Sequence, residues 1–316
     1  MTNEITETAV QTATVVPAAV VVLAVVAGLL VICTVVLAFL LYKKTKSGSG
    51  MPCTNKLTPE ITSTQALEQP SCSPGIGKVH CQGAREYQED CFAVSEPDAA
   101  LSHGLLAVVS DGMGGLEDGE QVSQMAVGTA ISEFYELGGD ADLVLMTLLN
   151  KANDAVNRFL GPERLYKCGA TMVMGLIKNG YFHYISVGDS RICLFRDGML
   201  MQLNREHVFK NELLHRAVNG EASFQEAYEH PKRAGLSSFL GQGNLKYVDI
   251  GAKPVAICPG DRFILMSDGV YNALSVEELS SALVLGPEDA AEEIQRLIEA
   301  KAFTNQDNYT AVIIGC

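Results

Sequence analysis

Carboxylates placed beside apolar runs are the residues of this chain best suited to do chemistry. Glu89-Asp90 stands four residues after Arg85, and Asp111-Gly112-Met113-Gly114-Gly115 follows the run Leu105–Ser110. Asp268-Gly269 follows Phe263–Ser267, and Asp307-Asn308 precedes Tyr309–Ile314. Gly188-Asp189-Ser190-Arg191 fills a tight link between two further apolar runs. A carboxylate at a strand end is held by the sheet yet reaches solvent. Several such groups converging make an oxygen-rich site for a hard cation such as Mg2+ or Mn2+. Glycine after the aspartate lets backbone carbonyls approach the ion or its waters. Two ions a few ångströms apart can activate a bridging water and hold a phosphate for in-line attack. Arg85 could add a planar fork that grips phosphate oxygens.

Each piece taken singly has a plainer reading. Asp-Gly is a common turn dipeptide. The glycines of Asp111–Gly115 could open a helix or cradle an anion. Asp307-Asn308 could be a polar loop pair, and Arg85 a surface salt-bridge partner. Spacing alone does not say which carboxylates meet in space.

Charge narrows the field. The chain carries a formal net charge of −14, and residues 1–75 hold four acids and four lysines, so the whole excess falls on residues 76–316. An acidic domain repels nucleic-acid backbones, which argues against a nucleic-acid partner. It equally repels phosphorylated substrates, so phosphate chemistry here calls for bound cations that reverse the local sign. The nine cysteines form no CxxC pair and the six histidines no HxxxH pair, which makes thiol or zinc chemistry the weaker expectation.

The elements that must hold these residues are legible as short β-rich runs: Leu105–Ser110, Thr171–Ile177, Tyr181–Val187, Arg191–Phe195, Arg262–Met266 and Thr310–Ile314. Asn179-Gly180 and Asp197-Gly198 are hairpin signals between such runs. Helical stripes run through Val122, Met125, Ala126, Thr129 and Ala130, and through Val144, Leu148, Ala152 and Val156. A third stripe, Ala291, Ile294, Leu297 and Ile298, has Gly286-Pro287 at its start and Glu288 and Asp289 suited to its first turn. Hairpins dominate and the helices come in blocks. That favours an antiparallel α+β layered fold over a doubly wound parallel sheet.

The N-terminal quarter is different. Ala18–Tyr42 contains no charged residue and would span about 37 Å as a helix, enough to cross a bilayer with some tilt. Glu4 and Glu7 precede it and Lys43, Lys44 and Lys46 follow it. The positive-inside rule then puts residues 1–17 outside the cell as a short tail and the bulk of the chain in the cytoplasm. A basic n-region is missing and the apolar stretch is too long for a cleaved signal peptide. Residues 43–75, rich in Ser, Gly, Thr and Pro, read as a flexible linker with a reach of about 30 Å.

In their order along the chain, Gly83–Asp90, Val109–Gly115, Val187–Arg191, Ser267–Val270 and Asp307–Thr310 resemble the motifs of the metal-dependent type 2C (PPM-class) serine/threonine protein phosphatases. Leu203–His207 and Ala227–Gly241 resemble connecting segments of the bacterial branch. The resemblance covers residues 76–316. It implies a central antiparallel β-sandwich with helices on both faces, α-β-β-α, here preceded by one transmembrane helix. It implies Asp111 bridging two Mn2+ or Mg2+ ions, with Asp90 and the Gly112 carbonyl on one side and Asp268 and Asp307 on the other. Glu89 would act through metal-bound water, Arg85 would bind substrate phosphate, and Asp189 with Asp268 would match a third, weaker metal position. A metal-bridging hydroxide would attack phosphorus without a phosphoenzyme. Residues from about Asn204 to Gly241 would form a variable flap beside the site. Two positions depart from the pattern: Gln88 stands where Asn is usual, and Met113 where many eukaryotic members have a histidine. The implied partners are phosphorylated proteins, a serine/threonine kinase and its substrates, and membrane lipid through the N-terminal helix. The competing classes are a catalytically silent binding or sensor module on the same fold, and a two-metal nuclease or small-molecule phosphoesterase.

Overall fold

The structure is a computed structural model that describes residues 75–96, 100, 102–114 and 118–316. The expected tail (1–17), the expected membrane span (18–42) and all but the last residue of the expected linker (43–75) lie outside the described residues. Among the described residues no helix is long and apolar enough to cross a membrane.

Among the same residues, twelve strands and seven helices follow in the order β1 (Gly75–Cys81), β2 (Asp90–Val94), β3 (Leu105–Met113), α1 (Asp118–Phe134), α2 (Ala141–Arg164), β4 (Gly169–Ala170), β5 (Met172–Lys178), β6 (Tyr181–Val187), β7 (Arg191–Arg196), β8 (Met199–Gln202), α3 (Phe209–Val218), α4 (Phe224–Glu229), β9 (Asp249–Ile250), β10 (Val255–Ala256), β11 (Arg262–Met266), α5 (Asp268–Tyr271), α6 (Val276–Leu283), α7 (Pro287–Ala300) and β12 (Tyr309–Gly315). One sheet has five strands in the order β1-β12-β11-β7-β8. The other follows the path β10-β6-β5-β3-β2, with β4 on β3 and β9 on β6. Every pairing of these strands is antiparallel.

The period-2 alternation of strands explains the layers. Along β3, Leu105, Ala107 and Val109 join Val173, Phe182, Ile192, Phe263, Leu265, Val312 and Ile314 in one apolar cluster between the sheets. The intervening Leu106 and Val108 face the other way and pack with α1 and α2 residues such as Val122, Leu145 and Leu148. In the same manner Ile264, Met266, Ala311 and Ile313 pack with Leu279, Ile294 and Ile298 of α6 and α7. Strands buried on both faces read as continuous apolar runs, and the result is the expected layering of helices outside two antiparallel sheets. Between the sheets Phe182 stacks on Phe263 with ring centroids 3.9 Å apart. Gly175 makes room for this, since a Cβ there would lie 2.6 Å from the Phe182 ring.

The hairpin signals and helical stripes correspond to observed features. Asn179 and Gly180 both have positive φ in the β5–β6 turn, as do Asp197 and Gly198 in the β7–β8 turn. The stripe residues Val144, Leu148, Ala152 and Val156 are all buried, and Asp140 caps that helix by accepting from the Leu143 N–H at 3.0 Å. Pro287 opens α7. β1 and β2 are absent from the apolar runs of the sequence. In β1, Gly75, Gly77, Lys78 and His80 dilute the pattern of an edge strand that packs on α7 at Pro287. The stretch 204–241, expected only as a flap, contains α3 and α4.

Candidate active site

Topology brings the five aspartates to one end of the sandwich. In the five-stranded sheet Arg191 pairs with Met266, and Met266 with Ala311. The start of β7, the end of β11 and the start of β12 are therefore neighbours, and Asp189, Asp268 and Asp307 lie just beyond them. In the other sheet Asp90 pairs directly with Asp111 across β2 and β3. Opposed residues of an antiparallel pair project from the same face with Cβ atoms about 4.5–5.5 Å apart. Asp189 sits in the crossover from β6, in one sheet, to β7, in the other.

One expectation is corrected in detail. Asp111 does not end its strand. β3 continues through it to Met113, with β2 opposing as far as Asp111 and β4 opposing Gly112 and Met113. Gly112 permits this crowding. Its N–H donates to the Glu89 carbonyl at 3.0 Å, and a Cβ would collide with the Gly119 carbonyl. The expected strand from Thr171 begins instead at Met172, and the Thr171 N–H donates to the Asp111 carbonyl at 2.8 Å. Thr171 Oγ1 accepts from the Asp111 N–H at 3.0 Å and lies 2.7 Å from Ser190 Oγ.

The carboxylates have distinct partners. Asp90 is 4% exposed, and its Oδ2 accepts from Ser267 Oγ at 2.7 Å, a contact that links the two sheets. Asp268 Oδ2 accepts from Asn272 Nδ2 at 3.2 Å. Asp307 accepts from Arg85 Nη2 at 2.7 Å and from the Asn308 N–H at 2.9 Å. The Asp189 carbonyl accepts from the Tyr271 hydroxyl at 3.2 Å. Glu89 lies against Gly119, where a Cβ would strike its carboxylate.

Electrostatics shows that these groups form one cluster. Burial pushes Asp111 well above the usual carboxylate range, and the charges of Asp90, Asp268, Asp189 and Asp307 push it further. Asp90 is raised to about 7 by burial, against the hydrogen bonds from Ser267 and Thr310. Asp189 is raised to about 7 by burial and then by Asp268. Asp268 is raised by burial and by Asp307, and Glu89 by burial. Arg85 is held above its usual range first by the hydrogen bond it donates to Asp307. An array of like charges removed from water is unfavourable until cations compensate it.

Among the described residues no group of three or more acidic, histidine or cysteine side chains is arranged to hold a metal ion. The donor chemistry nevertheless fits a hard divalent cation. Every candidate side-chain ligand is a carboxylate oxygen, and two of those oxygens, Glu89 Oε1 and Asp90 Oδ1, are buried without a hydrogen-bond partner. Sequence reasoning missed Ser267, Thr171 and the side-chain role of Asn308. The available signal was a small polar residue next to an aspartate inside or beside an apolar run.

A family model described as Protein phosphatase 2C matches residues 76–299. The serine/threonine protein phosphatase PstP of Mycobacterium tuberculosis is 31% identical over 219 residues, which are 68% of this chain and 41% of that protein. The chain thus matches about two fifths of that relative's length. The crystal structure of the PPM Ser-Thr phosphatase MsPP from Mycobacterium smegmatis, in complex with cacodylate, superposes with a TM-score of 0.61 at 27% identity, covering 76% of this chain and 97% of that one. The catalytic domain of PstP in complex with 2 manganese ions superposes with a TM-score of 0.60 at 24% identity, over 77% and 97% of the two chains. By the span of the family match, together with the fold and the five ordered motifs, the chain belongs to the protein phosphatase 2C family.

Proposed function

We propose that this chain is a metal-dependent phosphatase that hydrolyses phosphoserine and phosphothreonine esters on proteins. The observation that carries the reading is the convergence of five mutually repelling aspartates at one end of the sandwich, from buried Asp90 to partly exposed Asp307, beside a half-exposed arginine. In this reading Asp111, Asp90, Asp268 and Asp307, with the Gly112 carbonyl, would hold two divalent cations, and Glu89 would act through water. Asp189 with Asp268 offers a third, weaker position. Once bound, Mn2+ or Mg2+ supplies the positive charge that admits a phosphate and the Lewis acidity that makes water a nucleophile near neutral pH. Two manganese ions in the PstP structure support the choice of cation. Arg85 contributes a planar pair of donors for the non-bridging phosphate oxygens, and its 54% exposed side chain faces incoming substrate. Ser267 and Thr171 hold Asp90 and the Asp111 backbone in place by hydrogen bonds.

The protein substrate, as against a nucleotide, is supported by the named relatives and by the acidic domain, which disfavours polyanions. The anchor belongs to the same proposal and rests on sequence alone: an uncharged stretch at residues 18–42, followed by three lysines. It would hold the enzyme within a few tens of ångströms of the cytoplasmic membrane face, near membrane-linked serine/threonine kinases and their substrates.

The test uses the full chain in mild detergent. With Mn2+ it should hydrolyse an aryl phosphate and a phosphothreonine peptide, and the peptide faster than a nucleotide. Asp268→Asn should abolish both activities. A chain that is inert with Mn2+, or one that prefers nucleotides, would sink the reading. Carbonate washing of membranes tests the anchor, which predicts full retention of the chain and release of a form lacking residues 1–42.

A further inference from the structure

The segment from Gln82 to Glu89 leaves β1, turns and returns to β2, carrying Arg85 and Glu89 with it. Arg85 cannot be fixed by packing, because its side chain is 54% exposed. Its placement depends on how this loop is fastened. Asn308, only 4% exposed, makes three of the hydrogen bonds that fasten it. Asn308 Nδ2 donates to the Gln82 carbonyl at 2.7 Å and to the Tyr87 carbonyl at 2.9 Å. Asn308 Oδ1 accepts from the Glu89 N–H at 2.8 Å. One primary amide thus ties both feet of the loop to the start of β12.

The loop is also braced from within. Gln82 Nε2 donates to the carbonyls of Arg85 and Glu86, both at 2.8 Å. The Ala84 N–H donates to the Gln306 carbonyl at 2.8 Å. Gly83, with φ of 63°, lies so close to the Asp307 carbonyl that no side chain would fit. Asp307, next to Asn308 in the chain, holds the Arg85 guanidinium itself. Side-chain chemistry explains why an amide stands at position 308. Two carbonyls and one N–H must be satisfied together, and a carboxylate would set an oxygen against both carbonyls.

We propose that Asn308 and Gln82 are positioning residues for Arg85, setting the guanidinium where it meets substrate phosphate. The proposal rests on the reading of Arg85 as the phosphate grip. Loosening the loop costs phosphate affinity first, since both side-chain amides bond to backbone groups, among them the Glu89 N–H, and none to a carboxylate oxygen of the cluster.

The experiment uses the full chain with Mn2+ and a phosphothreonine peptide. Asn308→Ala should raise KM about tenfold and leave kcat within about twofold. The inhibition constant of inorganic phosphate should rise by the same factor as KM. Gln82 is exposed, so Gln82→Ala guards against misfolding, and it should raise KM about threefold. In an Arg85→Ala background neither substitution should move KM further, because the group they position is gone. A purely structural role would lower kcat and the melting midpoint as KM rises, and would add fully in the Arg85→Ala background; that outcome overturns the proposal. Unchanged KM in both single variants also overturns it. Phosphate affinity that survives Arg85→Ala alone refutes the grip itself, and with it the proposal, in a result distinct from silent amide variants.

Discussion

Val109 and Asp111 lie two residues apart on one strand, yet burial does opposite things to them. Val109 joins the apolar cluster between the sheets, where removing surface from water stabilises the fold. Asp111, half-buried, sits among four other aspartates, where loss of water and like charge disfavour its charged form. The interior of the sandwich supplies stability, and its carboxylate end consumes some. The contrast teaches that the candidate site is a local cost held in place by a well-packed scaffold and relieved by cations.

Neutralising the carboxylate end should separate the two regions most strongly. Asp111→Asn should raise the barrier to phosphoester hydrolysis by about 4 kcal/mol, slowing it roughly a thousandfold. The same substitution should raise the melting midpoint of the chelated protein, because a buried like charge is gone. A chelated variant that melts lower than the parent would contradict the account of the site as a cost. Phe182→Ala attacks the other region. Loss of the ring stacked on Phe263 should destabilise the fold by about 3–5 kcal/mol in denaturant titrations. The kcat of the molecules that remain folded should stay near that of the parent.

Acidity should separate the two regions next. Asp90 and Asp189 are raised from 3.8 to about 7 in the fold, so the folded chain binds more protons than the unfolded one between those values. Their contribution to stability is fully present below about pH 4 and lost as pH rises through about 7. With chelator present, unfolding free energy should fall by about 2–3 kcal/mol per group at most between about pH 5 and about pH 8. Mn2+ at the upper end of that interval should recover it. A chelated protein that gains stability over the same interval would refute the burial account. The smallest effect is expected at the outlying carboxylate, where Asp189→Asn should change kcat by about tenfold or less and leave KM for the phosphopeptide nearly unchanged.

Much of the scaffold is legible in local sequence. The runs Tyr181–Val187 and Arg191–Phe195, the turn residues at 179–180 and 197–198, and the three helical stripes are signals of period and turn chemistry that the observed elements match. Edge strand β1 is not legible in this way, because glycines and polar residues break its alternation and its burial comes from β12 and α7. Helices α3 and α4 escape for a related reason. Only Leu213, Ala217 and Ala227 are buried in them, too few to mark a stripe.

By itself the sequence determined the identity and order of the carboxylate motifs, the antiparallel α+β character and the charge that makes cations necessary. Those properties live within a few residues of one another or in a sum over the chain. Only the tertiary structure decided that Asp90 opposes Asp111, that Ser267 reaches across to Asp90, and that Asn308 holds the loop of Arg85. These contacts join residues that lie up to 226 positions apart. They follow from strand order and register, and both are set by which apolar faces pack together.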